Sequence, residues 1–189
     1  VISSVTSVGY QCLRNNKGAS NTAIGCQAAF QNTTGVYNTI MGHTAGYENK
    51  TGNNNTLIGF ESNYGVSNDN ISNVTSVGYQ CLMNNTGDSN TAVGYQAVYE
   101  NTSGIYNTAL GYHAGYENKT GSYNTFIGYE SNKGTNSDTN FQYITSIGYQ
   151  CLKSSRGDSN TAIGYQAGYS NTTASTNTLI GYQSGYSNT

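Results

Sequence analysis

Asn90-Thr91-Ala92-Val93-Gly94-Tyr95-Gln96-Ala97 is one copy of a motif that returns from end to end of this 189-residue chain. Aligned on its glycine, the motif recurs at Gly9, Gly25, Gly42, Gly59, Gly78, Gly94, Gly111, Gly128, Gly148, Gly164 and Gly181. The interval is 16 or 17 residues, lengthening to 19 before Gly78 and 20 before Gly148. A unit this short cannot enclose a core alone. It must bury its inner face against the units before and after it, which is the logic of a solenoid. A second period lies over the first: Val5 to Leu13 returns as Val74 to Leu82 and as Ile144 to Leu152, at offsets of 69 and 70 residues. Four short units therefore make one block. The expected organisation is a single repeat domain over 1–189, with blocks at 5–73 and 74–143 and an incomplete one at 144–189.

The columns of the alignment carry the next inference. Three residues before the glycine stands Thr6, Thr22, Thr39, Thr56, Thr75, Thr91, Thr108, Thr125, Thr145, Thr161 or Thr178. One residue before it is always Val, Ile, Leu or Met. One residue after it is Tyr, as in Tyr79, Tyr95, Tyr112 and Tyr129, except at Cys26, His43 and Phe60. Three residues after it is Ala, Ser or Cys, and the residue two after it is polar. The constrained set falls on odd offsets, which reads as a strand with one face inward. The Thr shares the parity of the apolar column, so it is expected to face inward too. Units too short for a crossover helix should pair as parallel strands about 4.8 Å apart, giving a rod about 50 Å long. In-register stacking puts like beside like. Asn and Thr columns should form hydrogen-bonded ladders, and Tyr columns ring stacks. The expected fold class is all-β, a parallel β-solenoid (β-roll or β-helix) of about eleven coils of 16–20 residues.

Composition narrows the function. Leu, Ile, Val and Phe are scarce enough to suggest disorder, but the net charge is only −2 and the apolar residues keep to columns. Proline is absent, and there are 24 Gly and 18 Tyr, as suits short strands and tight turns. Charged residues make up 8% of the chain, with no basic stripe, so no nucleic-acid partner is expected. Apolar runs are too short for membrane insertion. No secretion signal is visible; the chain lacks an initiator Met and starts and stops inside the repeat, which leaves room for one beyond it.

Asn21-Thr22-Ala23-Ile24-Gly25, Asn160-Thr161-Ala162-Ile163-Gly164 and Asn90-Thr91-Ala92-Val93-Gly94 resemble the head repeats of trimeric autotransporter adhesins. With the longer Gly-Tyr-Gln-Ala extension they are also similar to repeats in tail fibres of some phages and large viruses. The resemblance covers nearly the whole chain through one short motif. It implies a left-handed parallel β-roll, often three chains around one axis, displayed outside the cell and used for attachment. The chain departs from the usual adhesin head in its longer coils and its regular Cys and Tyr.

Residues that could carry chemistry are spread apart by the repeat. Cys12, Cys81 and Cys151 share one column four coils apart, about 19 Å by strand spacing, too far for a disulfide within one rod. Cys26 is offset from Cys12 by a coil and two positions. These are read as small buried residues alternating with Ala and Ser, with no zinc spacing. His43 and His113 occupy different offsets without an acid cluster. Glu61 and Glu130 share one column and Glu48 and Glu117 another, each pair four coils apart, which excludes paired acid catalysis. No nucleophile triad assembles. No catalytic residue, metal site or cofactor is expected, and the chain is read as non-enzymatic.

The two longer segments, Asn63 to Asn73 with Asp69 and Asn132 to Tyr143 with Asp138, read either as protruding contact loops or as length drift in an exposed turn. Asn32, Asn49, Asn54, Asn70, Asn73, Asn84, Asn101, Asn118 and Asn171 begin Asn-X-Ser/Thr sequons. These mark an N-glycosylated edge in a eukaryotic secreted protein, and otherwise an Asn-Thr turn ladder. Regular Thr arrays on solenoids can bind ice, although an inward Thr column argues against that here. Tyr47, Tyr116, Tyr169 and Tyr186 could stack on sugar rings or pack on neighbouring coils.

The expected function is therefore structural: the shaft of an extracellular fibre or filament, at a cell or virion surface. The expected partner is the protein itself, stacked end to end or as a homotrimer. The alternative is a receptor- or glycan-binding rod, and ice binding follows behind.

Overall fold

The computed structural model describes residues 3–65, 70–134 and 140–187. The chain is a parallel β-solenoid. Its strands are β1 (Thr6–Val8), β2 (Thr22–Ile24), β3 (Thr39–Met41), β4 (Thr56–Ile58), β5 (Thr75–Val77), β6 (Thr91–Val93), β7 (Thr108–Leu110), β8 (Thr125–Ile127), β9 (Thr145–Ile147), β10 (Thr161–Ile163) and β11 (Thr178–Ile180). They form one 11-stranded sheet in chain order. Register is that of the sequence alignment: Thr22 lies beside Thr39, Ala23 beside Ile40 and Ile24 beside Met41, and so on along the rod. No helix occurs among the described residues.

Each strand is only three residues long because the glycine ends it. Gly94 has φ +140°, and a Cβ built there would stand 2.3 Å from the carbonyl oxygen of Gly111 in the next coil. Only a residue without a side chain lets the coils approach so closely. Beyond the strand the axial ladder continues through irregular backbone. The Gln96 N–H donates to Tyr79 O at 2.9 Å, and the Val98 N–H donates to Ala114 O at 2.9 Å. Three positions per coil adopt left-handed backbone, as at Ser89 (φ 59°), Gln96 (φ 49°) and Val98 (φ 48°). Such conformations are costly for residues with a Cβ, the more so for β-branched Val98. They persist because the same backbone hydrogen bonds hold them in every interior coil.

The core does not lie where the odd-offset reading put it. The glycine and the left-handed residue two positions later break the alternation, so parity does not carry through the bend. The middle strand residue faces inward instead, as Ala23, Ile40, Leu57, Ser76, Ala92, Ala109, Phe126, Ser146 and Ala162 do, all buried. The small residue after the bend is also buried, as expected: Cys12, Ala28, Ala45, Ser62, Cys81, Ala97, Ala114, Ser131, Cys151 and Ala167. The Thr column and the Val/Ile/Leu/Met column both turn outward, half-buried to exposed. That corrects the expectation of an inward Thr.

Packing also follows the four-coil block. Where the middle strand residue is large, the left-handed inner position beside it is small. A Cβ at Gly115 would stand 2.3 Å from the ring of Phe126, and one at Gly46 would stand 2.8 Å from Leu57. Where the strand residue is Ser76 or Ser146, the inner position in the same coil is Leu82 or Leu152. Large and small inner residues are thus matched between neighbouring coils as well as within one.

Gly94→Ala should lower the melting temperature further than Gly181→Ala. Both carry a strained φ, but Gly181 has nothing within 4 Å of its added Cβ, whereas Gly94 meets backbone. A loss of about 2–4 kcal/mol is expected at Gly94 from strain and overpacking together. Denaturant titration with circular dichroism measures both.

Candidate functional site

The outward face of the sheet combines four adjoining columns: Thr, then Val/Ile/Leu/Met, then the glycine, then an aromatic ring. None of these positions is Asp, Glu, Lys or Arg in any coil. Leu110 is 50% exposed and Tyr112 41%, in the middle of the rod where end effects are absent. The aliphatic column was expected to be core; its exposure is the main site feature that the sequence concealed.

The aromatic column is a continuous stack. It runs from His43 and Phe60 through Tyr79, Tyr95, Tyr112, Tyr129, Tyr149 and Tyr165 to Tyr182, with ring centroids 5.0–5.3 Å apart and planes within about 10°. Tyr79, Tyr95, Tyr112 and Tyr129 thus form the ladder expected of them. A second aromatic column contains the four tyrosines considered for sugar stacking. Tyr47 lies between Phe30 and Tyr64 at 5.0 and 5.2 Å, Tyr116 stacks on Tyr99 at 5.1 Å, and Tyr169 on Tyr186 at 5.0 Å. Cations cover two remaining faces, Arg14 over Phe30 at 5.5 Å and Lys153 over Tyr169 at 5.7 Å. Ring faces in this column are largely occupied by protein groups.

Two polar ladders brace the coils. Asn21 Oδ1 accepts the Asn38 backbone N–H at 3.0 Å, Asn38 Oδ1 accepts that of Asn55 at 3.0 Å, and Asn55 Oδ1 accepts the Val74 N–H at 2.9 Å. The next block repeats this from Asn90 through Asn107 and Asn124 to Ile144. The block boundary falls where Val or Ile supplies a final backbone donor. On the other side of the bend, Gln96 Nε2 donates to Gln80 Oε1 at 2.8 Å and Gln80 Nε2 to Glu61 Oε2 at 2.7 Å. Gln183, Gln166 and Gln150 hand hydrogen bonds in the same direction to Glu130. Glu61 and Glu130, four coils apart, are the acceptors that end these two amide chains. The Thr column is in register too, its coils joined through backbone bonds such as Thr22 N–H to Asn38 O at 2.8 Å.

Glu130 is paired with two lysines. Burial opposes its ionisation, but Lys153 at 2.7 Å, Lys133 at 2.9 Å and Gln150 at 2.7 Å outweigh that and bring its pKa down to about 2. His113 hydrogen-bonds Gln96 Oε1 through Nε2 at 2.9 Å, and burial followed by nearby Lys133 lowers its pKa. Exposed His43 lies against Phe60. Cys12, Cys81 and Cys151 are buried free thiols, with Cys81 pushed up to about 12 by burial, and Cys26 is half-buried in the outward column. Among the described residues there is no cleft and no group of three or more His, Cys, Asp or Glu able to hold a metal ion.

The sequons divide by environment. Asn32, Asn49, Asn101, Asn118 and Asn171 are buried. The side-chain amides of Asn32, Asn101, Asn118 and Asn171 donate to the carbonyl three residues on. Asn54, Asn70 and Asn73 are exposed and Asn84 is half-buried. Of the two longer segments, Asp69 and Asp138 lie outside the described residues.

Two outcomes are expected from these contacts. Asn107→Ala removes the acceptor of the buried Asn124 N–H and should destabilise the chain by about 2–4 kcal/mol in denaturant titration. Glu130 has a folded pKa below its unfolded one, so its stabilisation is complete above about pH 4.3 and fades as pH falls toward about 2. Melting temperature should therefore drop less steeply across that acid window in Glu130→Gln than in the wild type.

No family model matches the chain, and no curated protein or solved structure matches it either.

Proposed function

We propose that this chain is a non-enzymatic structural element, the shaft of a fibre or filament displayed outside a cell or virion. The carrying observation is how the coils are joined along the axis: an aromatic stack runs from His43 to Tyr182, and Asn and Gln ladders link runs of three or four coils, alongside the backbone bonds. Pulling the rod lengthwise loads all of these contacts together. The resemblance of Asn160-Thr161-Ala162-Ile163-Gly164 and its relatives to adhesin-head and tail-fibre repeats supports the same reading. A receptor- or glycan-binding rod is less well supported, since neighbouring groups already cover much of the Tyr47, Tyr116 and Tyr169 rings.

Ice binding gains from one specific observation. The Thr column faces outward, beside aliphatic side chains of the same strand, on a face without charge. That removes the objection that an inward Thr would be hidden.

Two measurements separate these readings. Under a shaft role, purified protein forms rods in electron micrographs and resists protease under native conditions; globular particles cut at many sites would overturn it. Under ice binding, the protein shows thermal hysteresis that Thr108→Tyr abolishes.

A further inference from the structure

We propose that the outward strip of the sheet pairs with the same strip of a second copy of this chain, as an isologous two-fold dimer. The strip runs along β1 to β11 and spans the Thr, aliphatic, glycine and aromatic columns. Every Asp, Glu, Lys and Arg falls at other positions of the coil; Glu130 and Lys153 lie beyond the aromatic stack, Glu100 and Lys119 further round, and Asp88 before the strand. The strip is thus uncharged along its whole length, with exposed aliphatic and aromatic side chains. Exposed apolar patches of that size mark association surfaces.

Three considerations select a second copy as the occupant. The first is area. Eleven coils at strand spacing and five residues across give a strip about 50 Å by about 13 Å. Two such strips bury about 1,300 Å² together, within the range of stable interfaces.

The second is period. Leu110, Tyr112 and their equivalents recur once per coil, with stacked rings 5.0–5.3 Å apart. A second copy carries the same repeat and keeps its side chains in step along the whole strip; a surface without that repeat drifts out of register within a few coils. The third is symmetry. A ring of three chains asks each one for two different complementary faces, whereas one face used twice closes as a two-fold pair. Among the described residues the other exposed aromatic column, with Tyr37, Tyr106, Tyr123 and Tyr143, is interrupted by Ser, Asn and Thr in the remaining coils, so the strip alone repeats an aliphatic side chain in every coil.

Pairing stands apart from the shaft reading: a monomeric rod would leave the shaft intact and overturn the pairing. It also covers the Thr column, so the dimer and an ice-binding face exclude one another.

Sedimentation equilibrium over a range of concentrations tests the proposal. The wild-type chain is expected at twice its 20.1 kDa. Leu110→Lys and Tyr112→Lys place an unpaired charge inside the strip and should each weaken pairing by about 100-fold or more. Ser103→Lys, at an exposed position outside the strip, should leave it unchanged. Circular dichroism melts confirm that each variant is folded; if Leu110→Lys fails to fold, Tyr112→Lys, which lies outside the strands, decides the matter. A wild-type monomer at every concentration, a mass of three or more chains, or unchanged pairing in the folded lysine variants would each overturn it.

Discussion

Successive coils meet at the spacing of paired parallel strands, and the hydrogen bonds across that gap support everything else in the molecule. The Gly111 N–H donates to Val93 O, the His113 N–H to Tyr95 O and the Gly115 N–H to Ser131 O, so one short stretch bonds to the coil on either side of it. A short coil has little interior, and its backbone polar groups would be orphaned without neighbours. Stacking satisfies them, and identical side chains fall into line as a consequence. Asn amides, Gln amides and Tyr rings are therefore structural in the same sense as the backbone. They extend the ladder outward from the main chain.

The same constraint explains residues that look unfavourable one at a time. Buried asparagines are costly unless bonded, and within each block the Asn before the strand bonds to the next coil, as Asn38 does between Asn21 and Asn55. Left-handed Val98 and Leu82 are strained locally yet fixed by the coils above and below. Stability is thus shared between neighbouring units. This arrangement builds a stacked rod from a chain poor in aliphatic residues. It also places aliphatic and aromatic side chains on the sheet's outer face, where Leu110 and Tyr112 are exposed.

Much of this was legible in the repeat. The glycine column specified the coils, the invariant Thr column specified their register, and the recurring Tyr specified the ring stacks. Asn columns read correctly as ladders because polar residues recurring at fixed spacing need a partner at that same spacing. The inward face was not legible. Ser76, Ala92 and Phe126 occupy equivalent core positions but share no property that an alignment would notice, since each is fitted to the inner residues that surround it. The environments of the sequons were hidden in a related way. Asn101 and Asn118 match a glycan acceptor in letters, yet their burial follows from the turn geometry that places their amides against Gly104 and Gly121 carbonyls.

By itself the sequence determined the stacking, its period and its parallel register, because a short repeat has no other way to bury its backbone. Only the tertiary structure decided which columns face the interior and which face solvent. Orientation depends on the bend at each glycine and on the left-handed residues after it, and those conformations are set by contact with the next coil, not by local preference. The outward aliphatic column, and with it the surface on which a partner would act, belongs to that second category.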